Sequence, residues 1–255
     1  MLPRARAAVL AGVLALGPLL AGGCSADDGP RPIGDPVTAG DAHLLAGLLH
    51  QNFRDGGADF VVTAPYGQAV LRLTGTIDFR DSVGRAEAVT SFSGDRPDDV
   101  RTVFFTGKDL WVGDMPSLSK ALTADHAPSA TFLQRPLAAA DDEEPPLLDA
   151  IVGMLLRLAD RSVGDPAAFL VEHRYTWDGQ RSIDSRLTSL FRLPSATVAV
   201  DAGDDRLVQY SALVGSAVDV TITLADHGPR EVKVPSGKES ALVADHQKIA
   251  AALGV

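Results

Sequence analysis

Ser117 and Lys120 have the spacing of an S-x-x-K motif, in which a serine nucleophile acts beside a lysine in serine acyl enzymes. Such enzymes also need the tripeptides S-D-N and K-T-G, and neither occurs in the sequence. A four-residue match with two free positions arises easily by chance. The motif is therefore better interpreted as a polar helix turn, and a hydrolase is a distant alternative.

Histidine and carboxylate chemistry has no stronger support. His43 and His50 are seven residues apart and could share a helix face, but no cysteine or carboxylate pair completes a zinc site there. Asp226 and His227 could form a catalytic pair, yet together with Gly228 they lie where a strand must turn. No G-x-S-x-G motif, phosphate loop or calcium loop is present. The sequence predicts no catalytic residue, no metal and no cofactor.

Cys24 carries the remaining reactive group, a thiol that cannot form an internal disulfide because it is the only cysteine. It follows Arg4, Arg6 and an apolar run at residues 7–21. This run is shorter than a transmembrane helix, which needs roughly 20 residues. It has instead the charged n-region and apolar h-region of a secretory signal. We predict a signal peptide at residues 1–23.

The small residues Ala21, Gly22 and Gly23 directly before Cys24 resemble a bacterial lipobox. There the signal is cut in front of the cysteine and the thiol receives a diacylglyceryl group, although Leu is usual at the position of Ala21. The resemblance implies an extracytoplasmic protein, lipid-anchored to the outer face of the cell membrane. The alternatives are a short membrane anchor or a secreted protein with a free thiol, which would itself need an explanation.

Charge and composition limit the possible partners. The formal net charge of −10 becomes −12 when the signal and its two arginines are removed. An acidic surface excludes nucleic acid as a natural partner, and it predicts that membrane contact comes through the lipid and not through a basic patch. Only five of the 23 basic residues are lysine, and alanine and glycine are abundant. This bias is typical of GC-rich genomes and predicts an actinobacterial source.

Residues 24–40 contain the lipidated cysteine and a polar segment with three prolines and no apolar periodicity. We predict that this segment is a flexible linker with a reach of roughly 20 Å. Residues 41–235 would form the folded domain, and residues 236–255 a C-terminal tail with a short helix.

The apolar pattern of the domain changes from helical to strand period along the chain. Asp41 is the predicted N-cap of a helix that Gly56 ends. Strict alternation at residues 71–79 and 218–224 predicts strands with one buried face, which antiparallel sheets allow. Noisier strand patterns occur at residues 84–92, 100–107, 109–113, 196–200 and 206–214, with a hairpin turn at residues 201–205.

Residues 116–168 are predicted to be helical and to separate the two groups of strands. Within them the segment LLDAIVGMLLRLAD, residues 147–160, has few charged residues and needs apolar contact on most sides. Either this helix is buried in the core, or one face meets the sheet and another lines an apolar cavity. Core burial is the commoner fate of such helices.

The order of these elements, together with the closing segment VDVTITLADHGPREVKVP at residues 218–235, resembles the mycobacterial LppX/LprG lipoproteins. The chain is more distantly similar to the LolA-type lipoprotein carriers. This resemblance implies an α+β fold in which a strongly curved antiparallel sheet forms a half-barrel with helices across its concave face. It also implies an apolar cavity that holds acyl chains, and a role in carrying lipid through the cell envelope.

The expected ligand is an acyl lipid or glycolipid, and the protein is not expected to be an enzyme. Apolar residues on the central helix and on the inward sides of the strands are the candidates for lining the cavity. They are Leu148, Ile151, Val152, Leu155, Leu71, Leu73, Ile77, Phe79, Phe104, Trp111, Val198, Val200, Val220 and Ile222. The alternative is a ligand-free half-barrel that acts as a sensor or scaffold for an envelope protein partner.

Overall fold

The computed structural model describes residues 31–138, 145–171, 174–215 and 218–255. Residues 31–255 form one compact unit. The predicted signal peptide and Cys24 lie outside the described residues. The described residues form twelve β-strands and four α-helices, so the α+β class and the mostly antiparallel sheet are confirmed.

The helices are α1 (Ala39–Asp55), α2 (Leu118–Ala124), α3 (Leu147–Leu156) and α4 (Gln247–Leu253). The strands are β1 (Gly57–Tyr66), β2 (Ala69–Asp78), β3 (Val83–Phe92), β4 (Asp99–Thr106), β5 (Asp109–Val112), β6 (Phe132–Pro136), β7 (Thr176–Ile183), β8 (Arg186–Arg192), β9 (Ala196–Asp201), β10 (Leu207–Val214), β11 (Val218–Ala225) and β12 (Ser240–Leu242).

All twelve strands belong to one sheet, in the order β12-β6-β5-β4-β3-β2-β1-β11-β10-β9-β8-β7. Each neighbouring pair is antiparallel except β12 and β6, which are parallel. Strands β1 to β6 run outward from the centre, and β7 to β11 run back toward it. The first and last groups of strands meet where β1 pairs with β11, and the sheet is not closed because β12 and β7 are its two edges.

One face of the sheet is buried and apolar, and we call it the inner face. In its centre Phe60 and Val62 of β1 lie opposite Leu224 and Ile222 of β11. The same cluster of buried residues extends from β6 to β8 and includes residues of α1 and α3. The hydrophobic core therefore lies where the two helices and the inner face meet.

The opposite, outer face is largely polar around β10 and β11. Thr221 and Thr223 of β11 are hydrogen-bonded to Ser211 and Gln209 of β10, at 3.0 and 3.1 Å. A smaller apolar cluster of four residues lies on the outer face of β7 to β10, at Ile183, Leu190, Ala199 and Val208. This difference between the faces is what produces the strict alternation in the sequence of β11.

Helix α1 begins three residues earlier than predicted. Its N-cap is Thr38, whose side chain accepts a hydrogen bond from the backbone N–H of Asp41, while the Asp41 carboxylate accepts one from the backbone N–H of Thr38. The prediction that Asp41 is the N-cap is therefore wrong, because this carboxylate completes a capping box from the third helical position. The helix ends as predicted, with Gly56 in the left-handed conformation at φ 99°.

The prediction of a flexible linker is wrong for residues 31–40. The backbone N–H of Gly34 donates to the Trp177 carbonyl of β7, and the Trp177 N–H donates to the Asp35 carbonyl, both at 2.8 Å. The Arg31 guanidinium lies 4.9 Å from the centre of the Trp177 ring and bonds to Asp41 at 2.8 Å. These contacts are made by backbone groups and one cation. Apolar periodicity in the sequence therefore does not predict them.

The predicted C-terminal tail is part of the domain. Its short helix is present as α4, and Ala250 of this helix is buried in the core. Residues 240–242 form β12, which pairs with β6 and extends the sheet by one strand. Strand β6 lies within residues 116–168, so the prediction that this segment is helical is wrong for residues 132–136.

Two polar contacts attach the helices to each other and to the sheet. The Asp149 carboxylate of α3 is fully buried and accepts two hydrogen bonds from the Arg135 guanidinium of β6, at 2.7 and 2.6 Å. It also accepts one from the backbone N–H of Ala138 at 2.8 Å. The side-chain amide of Asn52 in α1 donates to the Leu158 carbonyl just after α3, at 2.7 Å. Together these contacts fix α3 against both β6 and α1.

Replacing Asp149 by Asn should destabilise the domain, because the Arg135 charge then loses its carboxylate in a largely buried place. We expect the free energy of unfolding to fall by about 3 kcal/mol, as is typical when one partner of a buried ion pair is removed. Urea denaturation measures this change. The matched control is Glu231→Gln, since the Glu231–Lys233 pair is exposed and should contribute almost nothing. Equal effects of the two substitutions would contradict the prediction.

Candidate functional site

On the inner face of the sheet, the described residues line one cavity near each end of α3. The first, which we call the large cavity, has a volume of about 600 Å³. It lies between the inner face of β2 to β6, the start of α3 and the end of α4. Its wall is formed by Tyr66, Leu71, Ala88, Thr90, Phe92, Asp99, Arg101, Val103, Val112, Arg135, Pro146, Leu147, Leu148, Gly254 and Val255.

The wall of the large cavity is partly polar. Arg101 is paired with Asp99 at 3.0 Å and donates to the Leu253 carbonyl at 3.0 Å. Arg135 is paired with Asp149 as described above. Both cations of this cavity are thus already compensated by carboxylates, and the rest of its lining mixes apolar and hydroxyl side chains.

The second, which we call the apolar cavity, has a volume of about 260 Å³ and lies between α1, the end of α3, and strands β9 and β10. All but two of its lining residues are apolar. They are Leu45, Leu48, Leu49, Met154, Leu158, Phe169, Leu193, Val198 and Leu207, with Arg157 and Tyr210 as the two polar ones. A mostly apolar concave site with a few placed polar groups is the usual form of a small-ligand pocket.

The two polar side chains of the apolar cavity differ in exposure. Arg157 caps the C-terminal end of α3 and is exposed, and its Nε donates to the Gly153 carbonyl at 3.1 Å. Tyr210 is on the inner face of β10, opposite Ile222, and is half-buried. Burial raises the pKa of the Tyr210 phenol, and the positive charge of Arg157 opposes that rise. The phenol therefore stays protonated at neutral pH and can donate a hydrogen bond.

The middle of α3 is solid core. Ile151, Val152 and Leu155, all predicted to line a cavity, have no exposed area, and they form the wall of neither cavity. The helix instead reaches the large cavity through its first turn and the apolar cavity through its last. The two alternatives for this helix, burial in the core and lining of a cavity, thus apply to different parts of it. Its middle is buried, and its two ends line cavities.

The other predicted lining residues divide into three groups. Leu71 and Leu148 line the large cavity, and Val198 lines the apolar cavity. A second group is buried in the core of the inner face without lining either cavity. Its members are Leu73, Ile77, Phe79, Val200, Val220 and Ile222.

Phe104 and Trp111 form the third group, because the prediction that they face inward is wrong. They lie opposite each other in the β4–β5 pairing, one position out of phase with the core residue Phe105. The Phe105 ring occupies the space beside Gly84, where an added Cβ would come within 2.1 Å of it. Phe104 instead contacts the Arg85 guanidinium on the outer face, at 5.4 Å from the ring centre.

The outer face has a groove of its own, with a volume of about 630 Å³. Phe104, Arg85 and the threonines of β2 form its floor, and residues 231–233 border it. Its lining mixes charged, hydroxyl and apolar side chains. This groove was not predicted, because its residues have the alternation expected of a solvated face.

The residues considered for catalysis are not assembled into a catalytic group. Ser117 and Lys120 are both exposed, and no described hydrogen bond joins them. His227 is half-buried, and its Nε2 has no hydrogen-bond partner among the described residues. Burial lowers the pKa of the His227 imidazole. Within the described ranges no three His, Cys, Asp or Glu side chains lie close enough together to hold a metal ion, and no helix is long and apolar enough to cross a membrane.

Arg157 and Tyr210 are the functional candidates that the sequence did not reveal. Arg157 is one of three charged residues in the apolar segment at residues 147–160, and this isolation is the signal that could have drawn attention to it. Tyr210 has no comparable signal, because its position depends on the β10–β11 register.

Comparison with known proteins adds little to this description. No protein-family model and no curated protein matches the chain. Among solved structures, the chain is similar to an uncharacterized conserved protein from Thermus thermophilus, with a TM-score of 0.39 and 8% sequence identity. The similarity covers 80% of this chain and 99% of that one. A likeness this distant carries no argument about function.

Arginine substitutions should separate the core of α3 from its cavity walls. Ile151→Arg would bury an unpaired charge, whose cost rivals the whole stability of a domain, about 5–15 kcal/mol, so we expect this variant to unfold or aggregate. Leu147→Arg, in contrast, can place its guanidinium in the large cavity and should leave the domain folded. Thermal unfolding followed by circular dichroism compares the two. Similar melting temperatures for both variants would contradict the prediction that position 151 is solid core and position 147 is a cavity wall.

Proposed function

We propose that this chain is a membrane-anchored lipoprotein that binds a lipid or lipidated molecule and carries or presents it in the cell envelope. The ligand would lie between the inner face of the sheet and helices α1 and α3. The observation that carries the proposal is the apolar cavity, in which nine of the eleven lining residues are apolar. The predicted signal peptide and lipobox support the location, and the resemblance to LppX/LprG lipoproteins supports the role.

A half-barrel is the sheet shape that fits this proposal. Helix α3 has 10 residues and is thus about 15 Å long. It bonds to β6 and packs against β10, which are seven strand positions apart in the sheet. In a flat sheet this separation would be about 34 Å. A curved sheet with α1 and α3 across its concave face brings both strands within reach of one short helix.

The size of the apolar cavity is adequate for useful affinity. A group of the size of water takes about 30 Å³, so the cavity admits roughly eight or nine methylene groups. At about 0.8 kcal/mol for each buried methylene, these contribute about 7 kcal/mol before the costs of ordering the ligand. A longer acyl chain, or the second chain of a glycolipid, would have to extend beyond this cavity.

The alternative is a ligand-free module that binds an envelope protein partner. It is favoured by the solid packing of Ile151, Val152 and Leu155, because much of the space under α3 is filled by the protein itself. The two functions differ in one measurable way. A carrier retains lipid after purification, and a ligand-free module does not.

Anchoring depends on Cys24 in this proposal. Cys24→Ser removes the thiol that accepts the diacylglyceryl group, so we expect the protein to appear in the medium or as an uncleaved precursor. Mass spectrometry of the N-terminal peptide of the unmodified sequence should find a lipid-modified cysteine as the first residue. An N-terminal peptide that begins elsewhere and carries a free thiol would exclude the lipoprotein assignment.

Lipid retention tests the binding site directly. We expect the chain purified from bacterial membranes to contain lipid, measured by native mass spectrometry. Met154→Trp should lower the retained amount at least about tenfold, because the larger side chain fills the space that some 1.4 kcal/mol or more of ligand contact would use. The matched control is Leu213→Trp, at an exposed outer-face position of β10.

Two results would contradict the proposal, one from the unmodified chain and one from the tryptophan variants. When the unmodified chain contains no lipid from any host, the ligand-free module becomes the better account. When both variants lose lipid equally, binding is not in the apolar cavity.

A further inference from the structure

The two cavities of the inner face differ in the state of their cations. Three arginines line them, and two, Arg101 and Arg135, are held by carboxylates in the wall of the large cavity. Arg157 of the apolar cavity has no carboxylate within 4 Å among residues 31–138, 145–171, 174–215 and 218–255. In a chain with a formal net charge of −10, the apolar cavity thus has a cation in its wall that no described carboxylate compensates.

We infer that the apolar cavity binds a single-chain amphiphile with an anionic head group, and that Arg157 and Tyr210 bind the head. This inference rests on the proposed function, because it concerns the same cavity. It goes beyond that function by giving the chemical class of the ligand. The head could be a carboxylate or a phosphate, since a guanidinium binds both.

The cavity has the polarity gradient that such a ligand needs. Arg157 is exposed, so its end of the cavity is open to water. Leu45 and Leu207 are 5% and 2% exposed, so the lining at these leucines is closed to water. An amphiphile would therefore place its tail against the leucines and its head beside the guanidinium.

The hydrogen-bond donors in the wall of the apolar cavity are suitable for an anion. The Nε of Arg157 is used by the Gly153 carbonyl, and this bond directs the guanidinium while its terminal amino groups have no described partner. The Tyr210 hydroxyl is a second donor, and it stays protonated because burial raises its pKa. A guanidinium and a phenol can together satisfy an oxyanion, with charge-assisted bonds that are stronger than neutral ones.

The volume limits the length of the tail. With about 30 Å³ for each methylene-sized group, the 260 Å³ cavity fits roughly eight or nine carbons of a saturated chain, so the carbon beside the head group of a ten-carbon probe lies at its open end. We therefore choose decanoate, decyl phosphate and decanol as probes, since they share one chain and differ in the head group.

The test uses the full chain in membranes of the bacterium that expresses it. A decanoate derivative with a photoreactive diazirine in the middle of its chain is crosslinked, and the labelled peptides are identified by mass spectrometry. We expect labelling on α3 and β10. Decanoate or decyl phosphate should prevent it at concentrations at least tenfold lower than decanol does.

Substitutions test whether Arg157 binds the anionic head group. Arg157→Gln should remove the preference for the anionic competitors while leaving competition by decanol unchanged, and Arg157→Lys should retain part of the preference. Tyr210→Phe should reduce it severalfold. The matched control is Arg161→Gln, four residues further on, where the arginine lies over the Phe53 ring and does not line the cavity.

The outcomes distinguish this inference from the proposed function. An equal preference for anions in the unmodified chain and in Arg157→Gln overturns the inference. If labelling of α3 and β10 is still abolished by Met154→Trp in that case, the lipid-binding function survives without a head-group site. If no probe labels these elements and Met154→Trp changes nothing, both proposals are wrong. Competition by only one of the two anionic probes supports the inference and identifies the head group.

Discussion

The apolar inner face of the sheet has to be kept away from water, and this constraint determines the rest of the structure. Helices α1 and α3 contribute buried residues to the core of that face. Where α3 lies is set by the buried Arg135–Asp149 pair at one end and by the bond from Asn52 to the Leu158 carbonyl at the other. The cavities follow from this placement, because α3 is too short to fill the space at both of its ends.

Strands with a strict polar and apolar alternation were predictable from the sequence, and strands without it were not. In β11 every buried residue is a large aliphatic one and the residues between them, Thr221 and Thr223, are polar, which identifies the strand. In β1 two of the buried positions are Ala58 and Ala64, and Pro65 interrupts the pattern. Strand β7 was not predicted for a different reason. Its register against β8 is irregular between Trp177 and Gln180, which interrupts the alternation of inward and outward side chains. The docking of residues 31–37 was not predictable either, since backbone hydrogen bonds leave no pattern in side chains.

The candidate site was predictable as a region but not in its details. Apolar periodicity indicates which elements face the core, yet adjacent bulky residues such as Phe104 and Phe105 are ambiguous until the register of β4 against β3 and β5 is known. Periodicity also cannot distinguish Ile151, which packs in solid core, from Leu148, which lines a cavity, because both are large and apolar. A cavity is a property of three-dimensional packing, and small shifts of a helix create or remove it.

The pairing of β1 with β11 has a consequence for the order of folding. In this central seam Asp59 lies opposite Ala225, so residues far apart in the chain must meet before the middle of the sheet exists. Contacts of such large sequence separation form slowly, because the intervening loop must be closed first. Until β11 arrives, β1 is an open edge with unpaired backbone groups, a position at which strands of different molecules can join. A chain that emerges on the far side of a membrane from its N-terminus would hold this edge open while most of its length is still being delivered. In the proposed lipoprotein, folding is therefore expected to depend on whatever shields β1 during that interval.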